Sequence, residues 1–180
     1  MIIVLLALAQ DGVETKDRSD QLKAQIQKIL KAISDNDRER TLSLTRALRC
    51  DEARFKKALR EDVSKETVDR FLALHKEYFD LKDDELAKAF SAGDGGPQEM
   101  LVHAATTEEL IERKQGGVAW ERFAGGTQKV AQQYLRPKTL FYSVKIVKPG
   151  ETSGMTYHLF FFDGEGWGMI GKAWRLPAPK

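Results

Sequence analysis

The segment from residue 139 to 174 contains the runs Leu140-Phe-Tyr-Ser-Val-Lys-Ile-Val147, Met155-Thr-Tyr-His-Leu-Phe-Phe-Phe162 and Trp167-Gly-Met-Ile-Gly-Lys-Ala-Trp174. These runs are rich in β-branched and aromatic residues, and the first alternates with a period of two. Glycine-containing segments at 149–154 and 163–166 separate the runs and predict turns. Two consecutive hairpins form a meander, so the segment predicts an antiparallel β-meander of at least three strands.

Helical periodicity dominates the chain before this meander. Apolar residues recur every three or four positions from Leu22 to Ile33, with polar residues between them. Shorter amphipathic segments follow, and Met100 to Ala104 is expected to form a short strand. Helix caps are predicted at Ser19, Ser64, Thr106 and Thr127. The sequence therefore predicts an α+β fold, a single domain over 10–180 whose helices, in 20–135, pack on the C-terminal meander at 139–174.

Composition and charge indicate a globular chain without a nucleic-acid surface. Charged residues make up 31% of the 180 residues, and 29 Lys and Arg against 27 Asp and Glu give a net charge of +2. Basic and acidic residues are interspersed, whereas a nucleic-acid binder usually concentrates positive charge on one face. The single cysteine, Cys50, allows no intramolecular disulfide.

The first nine residues form an unbroken apolar run, Met1 to Ala9. It is too short to span a bilayer, which takes roughly 20 residues, so no stable membrane insertion of the mature chain is expected. It ends in Ala7-Leu8-Ala9, the small-x-small pattern of a signal-peptidase site. We therefore expect 1–9 to be a truncated signal peptide, cleaved after Ala9, and the protein to be exported to the periplasm or secreted. The alternative is a buried first strand of a cytoplasmic protein.

The sequence contains no motif that predicts a cofactor or metal site. Gly166-Trp-Gly-Met-Ile-Gly171 matches a dinucleotide fingerprint, but no room remains for the βαβ unit that such a site requires. His75, His103 and His158 are far apart and lack metal-ligand spacing. His75 lies on the apolar stripe of its helix, which predicts a hydrogen-bonded core histidine. The sequence therefore predicts no cofactor, no metal and no assigned catalytic residue.

The meander carries the candidate ligand-binding residues, which are His158, Lys145, Trp167 and Tyr142. If Lys148 pairs with Met155, one face carries Tyr142, Val144, Ile146, Tyr157, Leu159 and Phe161. The opposite face then carries Phe141, Ser143, Lys145, His158, Phe160 and Phe162, and a two-residue turn adds Trp167 and Met169 to it. Aromatic and polar groups together are typical of a pocket lining. The alternative is a face partly covered by helices, with its polar groups at a wet rim.

Four segments resemble the nuclear-transport-factor-2-like, or cystatin-like cone, superfamily. They are Ile26-Gln-Lys-Ile-Leu-Lys-Ala-Ile-Ser-Asp-Asn-Asp37, Phe141-Tyr-Ser-Val-Lys-Ile-Val147, Tyr157-His-Leu-Phe-Phe-Phe-Asp163 and Gly166-Trp-Gly-Met-Ile-Gly171. The first is a helix that runs into a short polar turn, and the others are antiparallel strands ending in a Gly-Trp-x-hydrophobic step. The resemblance implies a curved sheet around a long helix, with a pocket open at one end. The family includes both enzymes and non-catalytic modules, and no catalytic dyad of its isomerases or dehydratases matches here.

Two functions follow as expectations. The first is an exported, non-catalytic binding or accessory domain whose partner is an unknown small molecule or protein. The second is a small-molecule enzyme of the cone-fold type with His158 as its general acid/base, which needs a second polar group near His158 in a closed cavity. A homodimer built by pairing sheet faces is a further expectation about partners.

Overall fold

The computed structural model describes residues 16–87, 89–90 and 98–176. The expected signal peptide at 1–9 lies outside these residues. The helices are α1 Ser19–Ser34, α2 Arg38–Arg46, α3 Glu52–Ala58, α4 Lys65–Phe79, α5 Asp83–Ala87, α6 Thr107–Glu112, α7 Val118–Arg122, α8 Thr127–Gln133 and a 3₁₀ helix Ala173–Arg175. The strands are β1 Glu99–Thr106, β2 Leu140–Val147, β3 Gly154–Phe162 and β4 Trp167–Met169. Within the described residues, no helix is long and apolar enough to cross a membrane.

The strands form one antiparallel sheet in the order β1-β2-β3-β4, preceded by helices. The predicted α+β class and C-terminal meander are therefore confirmed. The expected short strand near residue 100 is longer than predicted and joins the sheet as its edge. The last strand is shorter than predicted, because Gly171 turns the chain at a φ of +77° and a 3₁₀ helix follows.

Apolar side chains cover the sheet on both faces. On the face we call the α1 side, Val144, Ile146 and Met169 pack with residues of α1 such as Ile26. On the opposite face, the α7 side, Phe141 and Phe161 pack with residues of α3, α4, α7 and α8. Burying each such side chain contributes roughly 1.5–3 kcal/mol, so the two clusters fix which residues of each strand face which helices.

The pairing of β2 with β3 corrects the predicted register. Ile146 pairs with Met155 and Val147 with Gly154, so the expected pairing of Lys148 with Met155 is wrong. Gly154 permits the tight connection, because a Cβ at this position would lie 2.0 Å from the carbonyl oxygen of Ile146.

A β-bulge in β3 corrects the predicted faces. Tyr142 pairs with Phe160 but Ser143 pairs with His158, so Leu159 is an extra residue, with a φ of +61°. An extra residue reverses the alternation beyond it. The expected faces are therefore wrong from the bulge onward: Leu159 and Phe161 lie on the α7 side, and Phe160 and Phe162 lie on the α1 side.

Two of the four predicted helix caps are confirmed. The side chain of Ser64 accepts a hydrogen bond from the amide of Thr67, and Thr106 forms a capping box with Glu109. The predictions for Ser19 and Thr127 are wrong by one position, because Arg18 and Gly126 occupy the cap and each predicted residue is the first of its helix.

Candidate functional site

A row of polar residues crosses the α7 side of the sheet at mid-strand. His103 on β1 pairs with Ser143 on β2, which pairs in turn with His158 on β3. Lys145 and Thr156 form the neighbouring pair one step along the same face. Adjacent strands lie about 4.8 Å apart, so the side chains of the row stand next to one another. The register thus brings together two histidines separated by more than fifty positions in sequence.

A cleft of about 230 Å³ lies between this row and the end of α7. Its lining consists of His103, Glu121, Arg122, Phe123, Ala124, Ser143, Lys145, Thr156 and His158. This volume suits a ligand smaller than a drug-sized molecule.

Each of the two imidazoles in the cleft has a buried ring nitrogen that lacks a hydrogen-bond partner among the described residues. These atoms are Nε2 of His103 and Nδ1 of His158, which we call the orphan nitrogens. The His158 ring packs against Trp174, at a centroid distance of 5.5 Å, and Phe123, at 6.1 Å. A buried polar atom without a partner costs about 1–3 kcal/mol, so neither nitrogen stabilises the fold as it stands.

Burial keeps both imidazoles neutral at pH 7. It lowers the pKa of His158 to about 4. The pKa of His103 is also lowered, mainly by burial and further by the positive charges of Arg122 and Lys145. A neutral imidazole has one N–H donor and one acceptor nitrogen, so each ring can donate one hydrogen bond and accept one.

The cleft contains two cations and one carboxylate. The Arg122 guanidinium lies 3.6 Å from the Glu121 carboxylate, and both side chains are exposed. The ammonium of Lys145 donates to the carbonyl oxygen of Thr152 at 2.5 Å. In the described part of the chain, no carboxylate lies within ion-pair distance of Lys145. The cleft therefore has an excess of positive charge.

The structure separates the four candidate residues from the sequence into two pairs. His158 and Lys145 line the cleft together. Tyr142 and Trp167 are buried on the α1 side, where their ring centroids lie 5.1 Å apart. The expected placement of Trp167 beside His158 is therefore wrong. The Tyr142 hydroxyl accepts a hydrogen bond from the backbone N–H of Arg18 at 3.0 Å, which ties the start of α1 to the sheet.

Sequence reasoning missed His103 and Arg122 as members of this cleft. Both reach it through contacts between β1, α7 and β2 that are distant in sequence, and no local pattern encodes them. The only local signal is the strand character of the residues around His103, which places it on the same face as Leu101 and Ala105.

The third histidine confirms the prediction of a hydrogen-bonded core residue. His75 is 3% exposed, and its Nε2 lies 2.9 Å from the carbonyl oxygen of Met169, close enough to donate to it. Burial lowers the pKa of His75 to about 4. Nearby, burial raises the pKa of the Cys50 thiol to about 12, which makes this cysteine a packing residue rather than a nucleophile.

A second polar cluster, which we call the clamp, lies at the β3–β4 turn. The Asp163 carboxylate accepts hydrogen bonds from the amides of Glu165 and Gly166, at 2.9 and 2.7 Å, and from the Arg54 guanidinium at 2.5 Å. Arg54 also donates to the carbonyl oxygens of Ala47 and Arg49. Burial raises the pKa of Asp163, but these hydrogen bonds outweigh it, and the pKa lies below its ordinary value. The clamp joins α3 and the segment before it to the sheet.

A larger cleft of about 380 Å³ lies between α3 and α4. Its floor is apolar, and its rim cations are already paired: Lys56 with Glu52 at 2.6 Å, and Arg60 with Asp62 at 2.6 Å. None of its described lining residues has a buried polar side-chain atom that lacks a partner. The smaller cleft therefore has the stronger chemical case for a ligand, despite its size.

The described residues contain no group of three or more His, Cys, Asp or Glu side chains placed to hold a metal ion. Comparison of the chain with protein-family models, with curated proteins and with solved structures finds no match.

Proposed function

We propose that the chain is an exported, non-catalytic binding domain that takes a small polar ligand in the cleft between α7 and the His103–Ser143–His158 row. The observation that supports this proposal is the pair of orphan nitrogens, which belong to two residues that line one cleft from two different strands. In a folded protein, buried polar groups are nearly always hydrogen-bonded, and exceptions call for an explanation.

A ligand would supply the missing hydrogen bonds at little conformational cost. A half-turn of an imidazole about its χ2 bond would place the buried nitrogen where a ring carbon now lies. This rotation requires no backbone movement. Each new bond would recover part of the roughly 1–3 kcal/mol that an unsatisfied buried group costs. The rigid sheet holds both rings at fixed positions, which favours recognition over adaptation.

The alternative function, acid/base catalysis by His158, has weaker support. Its ring is partly buried rather than turned to open solvent, but a pKa of about 4 makes it a weak base at pH 7, where general acid/base catalysis needs a pKa nearer to neutrality. A catalytic imidazole is also usually oriented by a hydrogen bond that its second ring nitrogen donates to a neighbouring group. Nδ1 of His158 has no such partner in the described structure.

We also propose that the protein is exported, that it has the cone fold and that it forms a homodimer by pairing sheet faces. Export depends on residues 1–9, and sequencing the N-terminus of the mature protein tests it. A mature chain that begins after Ala9 supports export, and one that begins at Met1 contradicts it.

Protein whose histidines are labelled with ¹⁵N tests the cleft directly. The chain has three histidines, and His75, which lies outside the cleft, is the control. Benzoate, benzamide and benzylamine are suitable probes, since they have similar size and differ in charge. We expect at least one of them to shift the imidazole ¹⁵N resonances of His103 and His158 while those of His75 stay fixed. The proposal is contradicted if no probe shifts the two cleft histidines, or if all three histidines respond alike.

A further inference from the structure

We infer that the ligand of this cleft carries a single carboxylate, held by Lys145 and Arg122 and hydrogen-bonded by the two imidazoles. This inference rests on the proposed function and specifies the chemical class of its ligand. It follows from the charges in the cleft and from the hydrogen-bonding capacity of its rings.

The charges in the cleft exclude a cationic ligand and favour a monoanion. Two cations, Lys145 and Arg122, and one carboxylate, Glu121, leave one net positive charge among the lining residues. A cation would meet like charge in a partly desolvated site, where repulsion is stronger than in water. A phosphate, with roughly −1.5 to −2 charges at pH 7, would exceed the available positive charge.

The unneutralised charge of Lys145 supports a role in ligand capture. Its ammonium is held only by the carbonyl oxygen of Thr152 among the contacts of the described residues, and a carbonyl does not neutralise a cation. A carboxylate in the cleft would form a charge-assisted hydrogen bond with this ammonium, which is about twice as strong as a neutral one.

The cleft volume allows only a small body behind the carboxylate, and one aromatic residue contributes to its wall. Phe123 lines the cleft and is 4% exposed, and Trp174 supports the His158 ring from behind. Gly126 permits this support, because a Cβ at this position would lie 2.5 Å from Cβ of Trp174. A small aromatic or short aliphatic monocarboxylate fits both the charge and the volume.

Isothermal titration with benzoate, benzamide and inorganic phosphate tests the inference on the wild type and two variants. Lys145→Gln removes one of the two cations of the cleft, and Lys129→Gln is the control, because Lys129 is exposed on α8 and outside the cleft lining. We expect benzoate to bind at least about tenfold more tightly than benzamide or phosphate. Lys145→Gln is expected to weaken benzoate about tenfold, and Lys129→Gln to leave it unchanged.

The outcomes separate the inference from the proposed function. If benzamide binds as tightly as benzoate and Lys145→Gln has no effect, the cleft binds ligands but the carboxylate inference is wrong. Tighter binding of phosphate than of benzoate also overturns the inference. If none of the probes binds and none shifts the cleft histidines, the proposed function itself fails. Should Lys145→Gln fold poorly, the salt dependence of benzoate binding to the wild type decides: a charge-assisted site weakens between 50 and 500 mM NaCl, and an unchanged affinity overturns the inference.

Discussion

The clamp and the cleft are two polar clusters on the same sheet, and they differ in how their hydrogen-bonding groups are used. In the clamp, the Asp163 carboxylate accepts three hydrogen bonds, and Arg54 donates to two carbonyl oxygens as well as to Asp163. In the cleft, two imidazole nitrogens are buried and lack partners in the described structure. A satisfied cluster holds elements together, whereas an unsatisfied one lowers stability unless something else completes it.

The two clusters should therefore respond to substitution with opposite signs. Removing a partner from the clamp leaves buried groups unsatisfied. Removing an orphan nitrogen from the cleft eliminates a group that is unsatisfied already.

Breaking the clamp should cause the largest loss of stability. Asp163→Ala removes a carboxylate that is 4% exposed and leaves Arg54 and two amides without their acceptor. We expect the free energy of unfolding to fall by about 4 kcal/mol in urea denaturation, as for a broken buried ion pair. The matched control is Asp84→Ala, because Asp84 pairs with Arg38 at 2.9 Å in an exposed position. The control should lose less than about 1 kcal/mol, and equal losses would contradict the structural role of the clamp.

Acid should destabilise the protein through its buried histidines and not through the clamp. The unfolded chain protonates His75 below pH 6.5, whereas burial delays this in the folded protein to about pH 4. Stability is therefore full above pH 6.5 and falls as the pH drops from 6.5 to about 4, by about 3 kcal/mol for this group. Asp163 adds no loss in this range, because its pKa lies below its ordinary value.

Urea denaturation at several pH values measures this loss. His75→Gln should remove the contribution of His75 to this loss, since glutamine does not titrate and its amide can still donate to Met169, while His158, whose pKa is also about 4, keeps its own contribution. An unchanged profile in this variant would show that the loss of stability arises elsewhere.

Of the features that form the clamp and the cleft, the sequence predicts those that depend on local patterns. The period-two pattern of 140–147 predicts the meander, and Gly164 with Glu165 predicts the turn that the clamp secures. The bulge cannot be predicted from the sequence, because its left-handed residue is Leu159. A glycine is usual in this conformation, and a leucine gives no sign of it. The partners Arg54 and Asp163 are 109 positions apart, and the pairing of His103 with Ser143 is equally non-local. Such contacts arise from packing of whole elements, which local sequence patterns do not reveal.

Removing an orphan nitrogen should have a smaller effect, of the opposite sign. His158→Phe keeps an aromatic ring between Phe123 and Trp174 and removes both ring nitrogens. We expect the free energy of unfolding to rise by about 1 kcal/mol at pH 7, because one unsatisfied buried group is lost. The same substitution at His75, which is hydrogen-bonded, should lower it. A gain at both positions or a loss at both would remove the distinction between them.

The most direct test of the cleft as a binding site measures the free energy of unfolding with and without ligand. Wild type and His158→Phe are unfolded in urea, each with and without benzoate at about 100 times its Kd for the wild type. Without benzoate, the variant should be the more stable protein. With benzoate, the wild type should gain about 2.7 kcal/mol by mass action and overtake the variant, which should gain far less. A variant that is less stable than the wild type without benzoate, and that gains as much from it, would contradict the assignment of His158 to a ligand-binding cleft.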